Sequence, residues 1–110
     1  MQLNHEKLDV YQAATEFLGL AFQIVANLPP GYSFLSDQLK RAALSIPLNI
    51  AEGSGKRGYR EQGRFYQIAR GSAAECGAIL DAIATLRLAN LDLAKGKQLL
   101  YRIVCMLSKM

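Results

Sequence analysis

Tryptophan is absent from the 110-residue chain, histidine occurs once, cysteine twice and proline three times, and these shortages narrow what the protein can be. The single histidine, His5, lies in an N-terminal arm, and no second carboxylate is spaced to share a metal with Glu75 or Glu52. The Glu-x-x-His pattern of di-iron helical bundles is missing, as is a Gly-rich phosphate loop of Walker type. Cys76 and Cys105 have neither a Cys-x-x-Cys spacing nor a nearby histidine, so free, buried thiols in a reducing compartment are expected rather than a disulfide. Charges interrupt every apolar run well before the roughly 18 residues of a spanning helix, which predicts no membrane segment. The N-terminus lacks the basic start and apolar core of a secretion signal, making cytoplasmic residence the expectation. Strand-like alternation, internal repeats and low-complexity segments do not occur.

What remains is a chain that is half apolar and patterned for helices, long enough for one domain (residues 1–110) and one core. Val10, Ala14, Phe17, Leu18, Ala21, Val25 and Leu28 recur at threes and fours, predicting a first helix over Leu8–Leu28 that Pro29-Pro30-Gly31 ends. A second helix, with Ser33 or Ser36 as N-cap, turns Leu35, Leu39, Ala42, Ala43, Ile46, Ile50 and Gly53 inward. A loop, Ser54 to Gly58, leads to a third helix over about Tyr59–Leu88 with Phe65, Ile68, Ser72, Cys76, Ile79, Ile83 and Leu86 inward. Three glycines within it, Gly63, Gly71 and Gly77, suggest close approach of another backbone. Asn90 and Asp92 bracket the last turn, and Leu93, Leu100, Ile103, Val104 and Leu107 form the inward face of a fourth helix, with Leu99 to one side. The fold class is therefore all-α, an up-down-up-down antiparallel four-helix bundle.

The second helix carries three anomalies. Pro47 removes a backbone hydrogen bond deep in the helix and crowds the Ala43 carbonyl, which predicts a kink that either wraps the helix round the core or shapes a subunit contact. Asn49 falls at the edge of the inward stripe and Glu75 on the inward side of the third helix, so a polar clasp of Arg41, Ser45, Asn49, Ser72 and Glu75 is expected to join the two helices. Leu44, Leu48 and Ala51 lie opposite the core stripe and mark an oligomer interface. An enzymatic reading would need a pocket joining Glu75, Asn49 and Arg41 to solvent. The better expectation is a non-enzymatic protein without cofactor or metal.

The net charge of +4 is concentrated in the middle of the chain. Residues 1–39 hold Lys7 against four acids, for −3, whereas residues 40–70 hold seven Lys and Arg against Glu52 and Glu61, for +5. Lys56, Arg57, Arg60, Arg64 and Arg70, with Tyr59 and Tyr66 among them, form a candidate nucleic-acid-binding surface; a solvated charged face would have the same pattern.

At SIPLNIAEGSGK and FYQIARGSAAE the chain resembles the four-helix-bundle family of 23S rRNA-intervening-sequence proteins. Ser45, Ile46, Asn49, Ile50, Ala51, Glu52 and Gly53 match one core motif; Ile68, Ala69, Gly71, Ser72 and Glu75 match the other. Pro29-Pro30-Gly31-Tyr32 and Cys76-Gly77 depart from the family pattern. The resemblance implies a cytoplasmic bundle assembling into a homopentameric ring, related to the accessory variability proteins of diversity-generating retroelements. The function expected is a homo-oligomeric scaffold binding RNA or other nucleic acid, the alternative being an adaptor that docks a polymerase or reverse-transcriptase partner.

Overall fold

A computed structural model describes residues 3–89 and 92–110. After a short 3-10 turn at Asn4–Lys7 come four helices, α1 (Asp9–Ala26), α2 (Ser33–Ser54), α3 (Tyr59–Thr85) and α4 (Ala94–Ser108), and no strand occurs among the described residues. Asn27 closes α1, its amide donating to the Ile24 carbonyl and the Leu28 amide to that of Val25. Pro29 and Pro30 then cannot continue it, and Gly31 turns the chain at a φ of 96°, a conformation that costs glycine little.

Neither Ser33 nor Ser36 caps α2, contrary to the sequence expectation. The helix begins at Ser33 itself, and the amides of Leu35 and Ser36 donate to the Tyr32 carbonyl at 3.1 and 3.2 Å. The helix runs on through Pro47, which is buried. The third helix stops three residues earlier than expected, and its end has a defined geometry. The Leu88 amide donates to the Ile83 carbonyl and the Arg87 amide to that of Ala84, both at 3.1 Å, with Arg87 at a φ of 56°. That is a Schellman motif with arginine where glycine is usual. Asp92 accepts the Ala94 amide at 2.9 Å, one residue before the N-cap position at Leu93. Asn90 lies outside the described residues.

Each helix packs on the next and α4 returns to α1, so all four contribute to one apolar centre of which Phe17, Ile24, Leu39, Ile46, Ile50, Leu80, Ile83 and Ile103 are the largest fully buried members. Burial of each such side chain is worth about 1.5–3 kcal/mol. The inward stripe expected for α2 is buried throughout. In α3 the expected stripe holds at Cys76, Ile79 and Ile83 and fails at its other members. Tyr66, Ala69, Ala73, Cys76, Ile79, Leu80 and Ile83 are buried, whereas Ile68 and Leu86 are 42% and 53% exposed and Phe65 and Ser72 only half-buried. Leu99, read as lateral, is buried in α4.

Two glycines mark the closest helix approaches. A Cβ on Gly53 would lie 2.8 Å from Tyr66 Cε1, and one on Gly96 would lie 3.0 Å from Leu80 Cδ1. Gly63, Gly71 and Gly77 have no such neighbour within 4 Å, so no contact among the described residues accounts for them. Exposed ion pairs, Lys97 with Asp81 and Lys95 with Glu16 at 3.8 Å, link α4 to α3 and α1. No described helix is long and apolar enough to cross a membrane.

Candidate nucleic-acid interface

The basic stretch begins where α2 ends. The amides of Gly55 and Lys56 donate to the carbonyls of Glu52 and Gly53, and the Gln62 side chain returns from α3 to donate to the Lys56 carbonyl at 2.9 Å. This ties the loop to the first turns of α3 and fixes the direction in which its side chains leave. Gln62 carried no signal in the sequence, since a side chain reaching back six residues to a backbone carbonyl belongs to no periodic pattern.

The five cations expected to act together divide into three groups. Lys56 pairs with Glu52 at 3.2 Å and its ammonium lies 5.4 Å from the centre of the Phe65 ring. Arg64 pairs with Glu61 at 3.3 Å and its guanidinium lies 4.6 Å from the same ring. Each exposed cation–π contact is worth about 0.5–1 kcal/mol and each exposed ion pair about 0.2–1 kcal/mol, enough to hold both cations close to their acids. Arg57 and Arg60 are exposed and have no acidic partner within ion-pair distance among the described residues. Arg70 stands apart. Six positions beyond Arg64 on a helix of 3.6 residues per turn, it points about 120° away, and it lines a shallow cleft of about 400 Å³ with Gln67, Gly71, Ala74 and Val104.

The aromatic residues divide in the same way. Tyr66 is 9% exposed and packs on Gly53, with burial raising its phenol above the usual range. Phe65 has both cations over its ring. Tyr59, at the first position of α3, is 90% exposed.

The polar clasp forms in a smaller version than expected. The Ser45 and Ser72 hydroxyls share a hydrogen bond at 2.8 Å, and the Asn49 amide donates to the Ser45 carbonyl at 2.8 Å and hydroxyl at 3.0 Å. Arg41 and Glu75 are exposed and take no part. Seven residues beyond Ile68, Glu75 lies on the same side of α3, and Ile68 is itself exposed. The Glu75 carboxylate still acts on its neighbour: burial first, and the Glu75 charge second, push the Cys76 thiol up to about 12. Neither Cys76 nor Cys105 is in a disulfide.

On the outer side of α2, Leu44 and Leu48 are 45% and 58% exposed and Ala51 is half-buried. Leu48 and Ala51 line an open cleft of about 430 Å³ with His5, Glu52, Gly55 and Lys56. Among the described residues no group of three or more His, Cys, Asp or Glu side chains is placed to hold a metal ion.

No curated protein sequence matches the chain. The family model for the 23S rRNA-intervening sequence protein matches residues 6–109, from the turn before α1 to the end of α4, and the chain belongs to that family.

Proposed function

We propose that the protein is a non-enzymatic homo-oligomeric scaffold that offers a basic surface to RNA or other nucleic acid in the cytoplasm. The observation that carries this reading is the pair of exposed arginines, Arg57 and Arg60, which have no acidic partner among the described residues, whereas Lys56 and Arg64 are paired with Glu52 and Glu61. Free guanidinium groups suit phosphate, and repetition around an oligomer would multiply them.

The bundle in this reading is antiparallel and up-down-up-down. Gly53 against Tyr66 and Ser45 against Ser72 support that, because residue numbers fall on α2 as they rise on α3. A pentameric ring draws on the outward Leu44 and Leu48 and on the uncovered Gly63, Gly71 and Gly77, since a closed ring needs two different surfaces per subunit.

RNA binding measured by fluorescence anisotropy at low salt tests the reading. Affinity should fall steeply as salt rises, and Arg57→Ala/Arg60→Ala should weaken binding and reduce the slope against log salt, each lost phosphate contact accounting for about 0.7 on a single strand. Absence of binding, or binding indifferent to salt and to these substitutions, refutes it. Light scattering should give a mass above that of the 12.1 kDa monomer, and Leu44→Asp/Leu48→Asp should return it to that value.

The adaptor reading, with a polymerase or reverse transcriptase docked as for the accessory variability proteins of diversity-generating retroelements, draws on the same arginines. It expects the oligomer to dock an acidic partner through Arg57 and Arg60, so that an acidic protein and not RNA is retained by them.

A further inference from the structure

The basic surface contains one aromatic side chain that packing has not used. Tyr59 is 90% exposed, an unusual position for a large ring that could have covered apolar surface. It lies between the two arginines that lack acids, Arg57 before it and Arg60 after it. The other aromatic residues nearby are engaged: Phe65 has a cation within 5.4 Å and another within 4.6 Å of its centre, and Tyr66 is buried against Gly53.

The backbone beside Tyr59 is equally uncovered. A Cβ built on Gly58 would meet nothing within 4 Å. The φ of Gly58 is −93°, in a region open to any residue. Neither packing nor conformation within the chain therefore requires glycine there, and its absent side chain leaves the backbone clear for a ligand to approach. An exposed ring with an exposed arginine close on either side of it in the sequence, next to an open backbone, matches the demands of a strand whose bases are unstacked. Bases in a duplex have both faces covered by their neighbours, whereas those of a single strand can stack on a protein aromatic while the phosphates on either side take arginine.

Resting on the nucleic-acid reading above, we propose that the surface selects single-stranded over double-stranded polynucleotide, with one base stacked on Tyr59 and its flanking phosphates on Arg57 and Arg60. The arginines supply affinity for either form; Tyr59 supplies the preference.

Anisotropy with a labelled single-stranded oligonucleotide of about 12 nucleotides and its matched duplex tests this. Tyr59→Ala should weaken single-strand binding about 5- to 150-fold, leave duplex binding unchanged and leave the salt slope of both unchanged. Tyr59→Phe and Tyr59→Trp should retain affinity. Because the chain has no other tryptophan, the emission of Tyr59→Trp should be quenched by the single strand and not by the duplex. Arg57→Ala/Arg60→Ala should instead weaken both forms and lower both slopes. Unchanged single-strand affinity in Tyr59→Ala, with loss in the arginine variant, overturns the stacking proposal and leaves the nucleic-acid reading standing. Equal losses for single strand and duplex in Tyr59→Ala also overturn it. No binding of either form by the wild-type protein, or displacement of both by polyglutamate as effective as RNA, overturns both.

Discussion

Replacing Gly53 with alanine would place a methyl carbon 2.8 and 3.0 Å from Tyr66 Cε1 and Cδ1 and 3.2 Å from the Gln62 carbonyl oxygen. Carbon atoms prefer about 3.5–4.0 Å, so one of these groups must move. Tyr66 is 9% exposed and surrounded by the α2–α3 contact, and the Gln62 carbonyl is part of the α3 backbone. Overpacking of this kind costs about 1–3 kcal/mol. Alanine recovers up to about 1 kcal/mol of helix propensity in a helix interior, and less at the second-to-last residue of α2. The net loss should be about 1–2 kcal/mol, a fall in Tm of roughly 4–8 °C for a domain near this size. Urea unfolding followed by circular dichroism checks it, with the midpoint moving and the slope unchanged. Gly19→Ala is the control, since that exposed glycine of α1 has no atom within 4 Å of the added methyl and should gain up to about 1 kcal/mol. In a Tyr66→Leu background, where the ring carbons are gone, the Gly53→Ala penalty should shrink. A Gly53→Ala protein as stable as wild type, at unchanged slope, refutes the claim that this glycine sets the approach of α2 to α3.

Arg87→Gly should stabilise the chain by about 0.5–1 kcal/mol, because the left-handed position costs an ordinary residue more than glycine loses in unfolded-state entropy; thermal melts check this. Ser72→Ala removes one half-buried hydrogen bond and should cost about 0.5–1.5 kcal/mol in urea unfolding, while exposed Glu75→Ala should fall within about 0.5 kcal/mol of wild type. The Cys76 thiol, raised to about 12 in the fold by burial and then by Glu75, makes stability depend on pH in one direction. The unfolded thiol ionises first, near its ordinary value of 9.0. The contribution is therefore intact below about pH 9 and declines as pH rises towards 12, at up to about 1.4 kcal/mol per pH unit. Cys76→Ala should flatten the difference between unfolding curves across that window, whatever its effect on stability at neutral pH.

The four helices were legible because charges break the apolar runs at the right period and Pro29-Pro30 stops α1. The inward stripe of α2 was legible because its members are large and regularly spaced. That of α3 was legible only in part. Cys76, Ile79 and Ile83 are buried as their spacing predicts, but Phe65 is only half-buried and Ile68 and Leu86 are exposed, while the buried positions include Ala69, Ala73 and Tyr66. Alanines contribute little to a hydrophobic pattern, yet a helix that lets Gly53 approach Tyr66 this closely needs small residues at the contact. Glu75, seven residues beyond Ile68, shares its exposed side of the helix, so the clasp is made by two hydroxyls and an amide without the expected carboxylate and arginine.

Charge counting met a similar limit. A central segment of +5 suggests a broad cationic patch, but spacing also encodes its own neutralisation. Glu52 and Lys56 are four apart and Glu61 and Arg64 three apart, the separations at which helical side chains meet, and both pairs form around Phe65. These acids lower the field of the patch and also keep Lys56 and Arg64 beside the Phe65 ring. Removing them should therefore do more than add charge. Glu52→Gln/Glu61→Gln would release Lys56 and Arg64 to reach phosphate, strengthening polynucleotide binding and steepening its salt slope by up to about 1.4 for a single strand, two contacts at about 0.7 each. A variant with the wild-type slope would mean that the cation–π contacts alone hold both side chains in place.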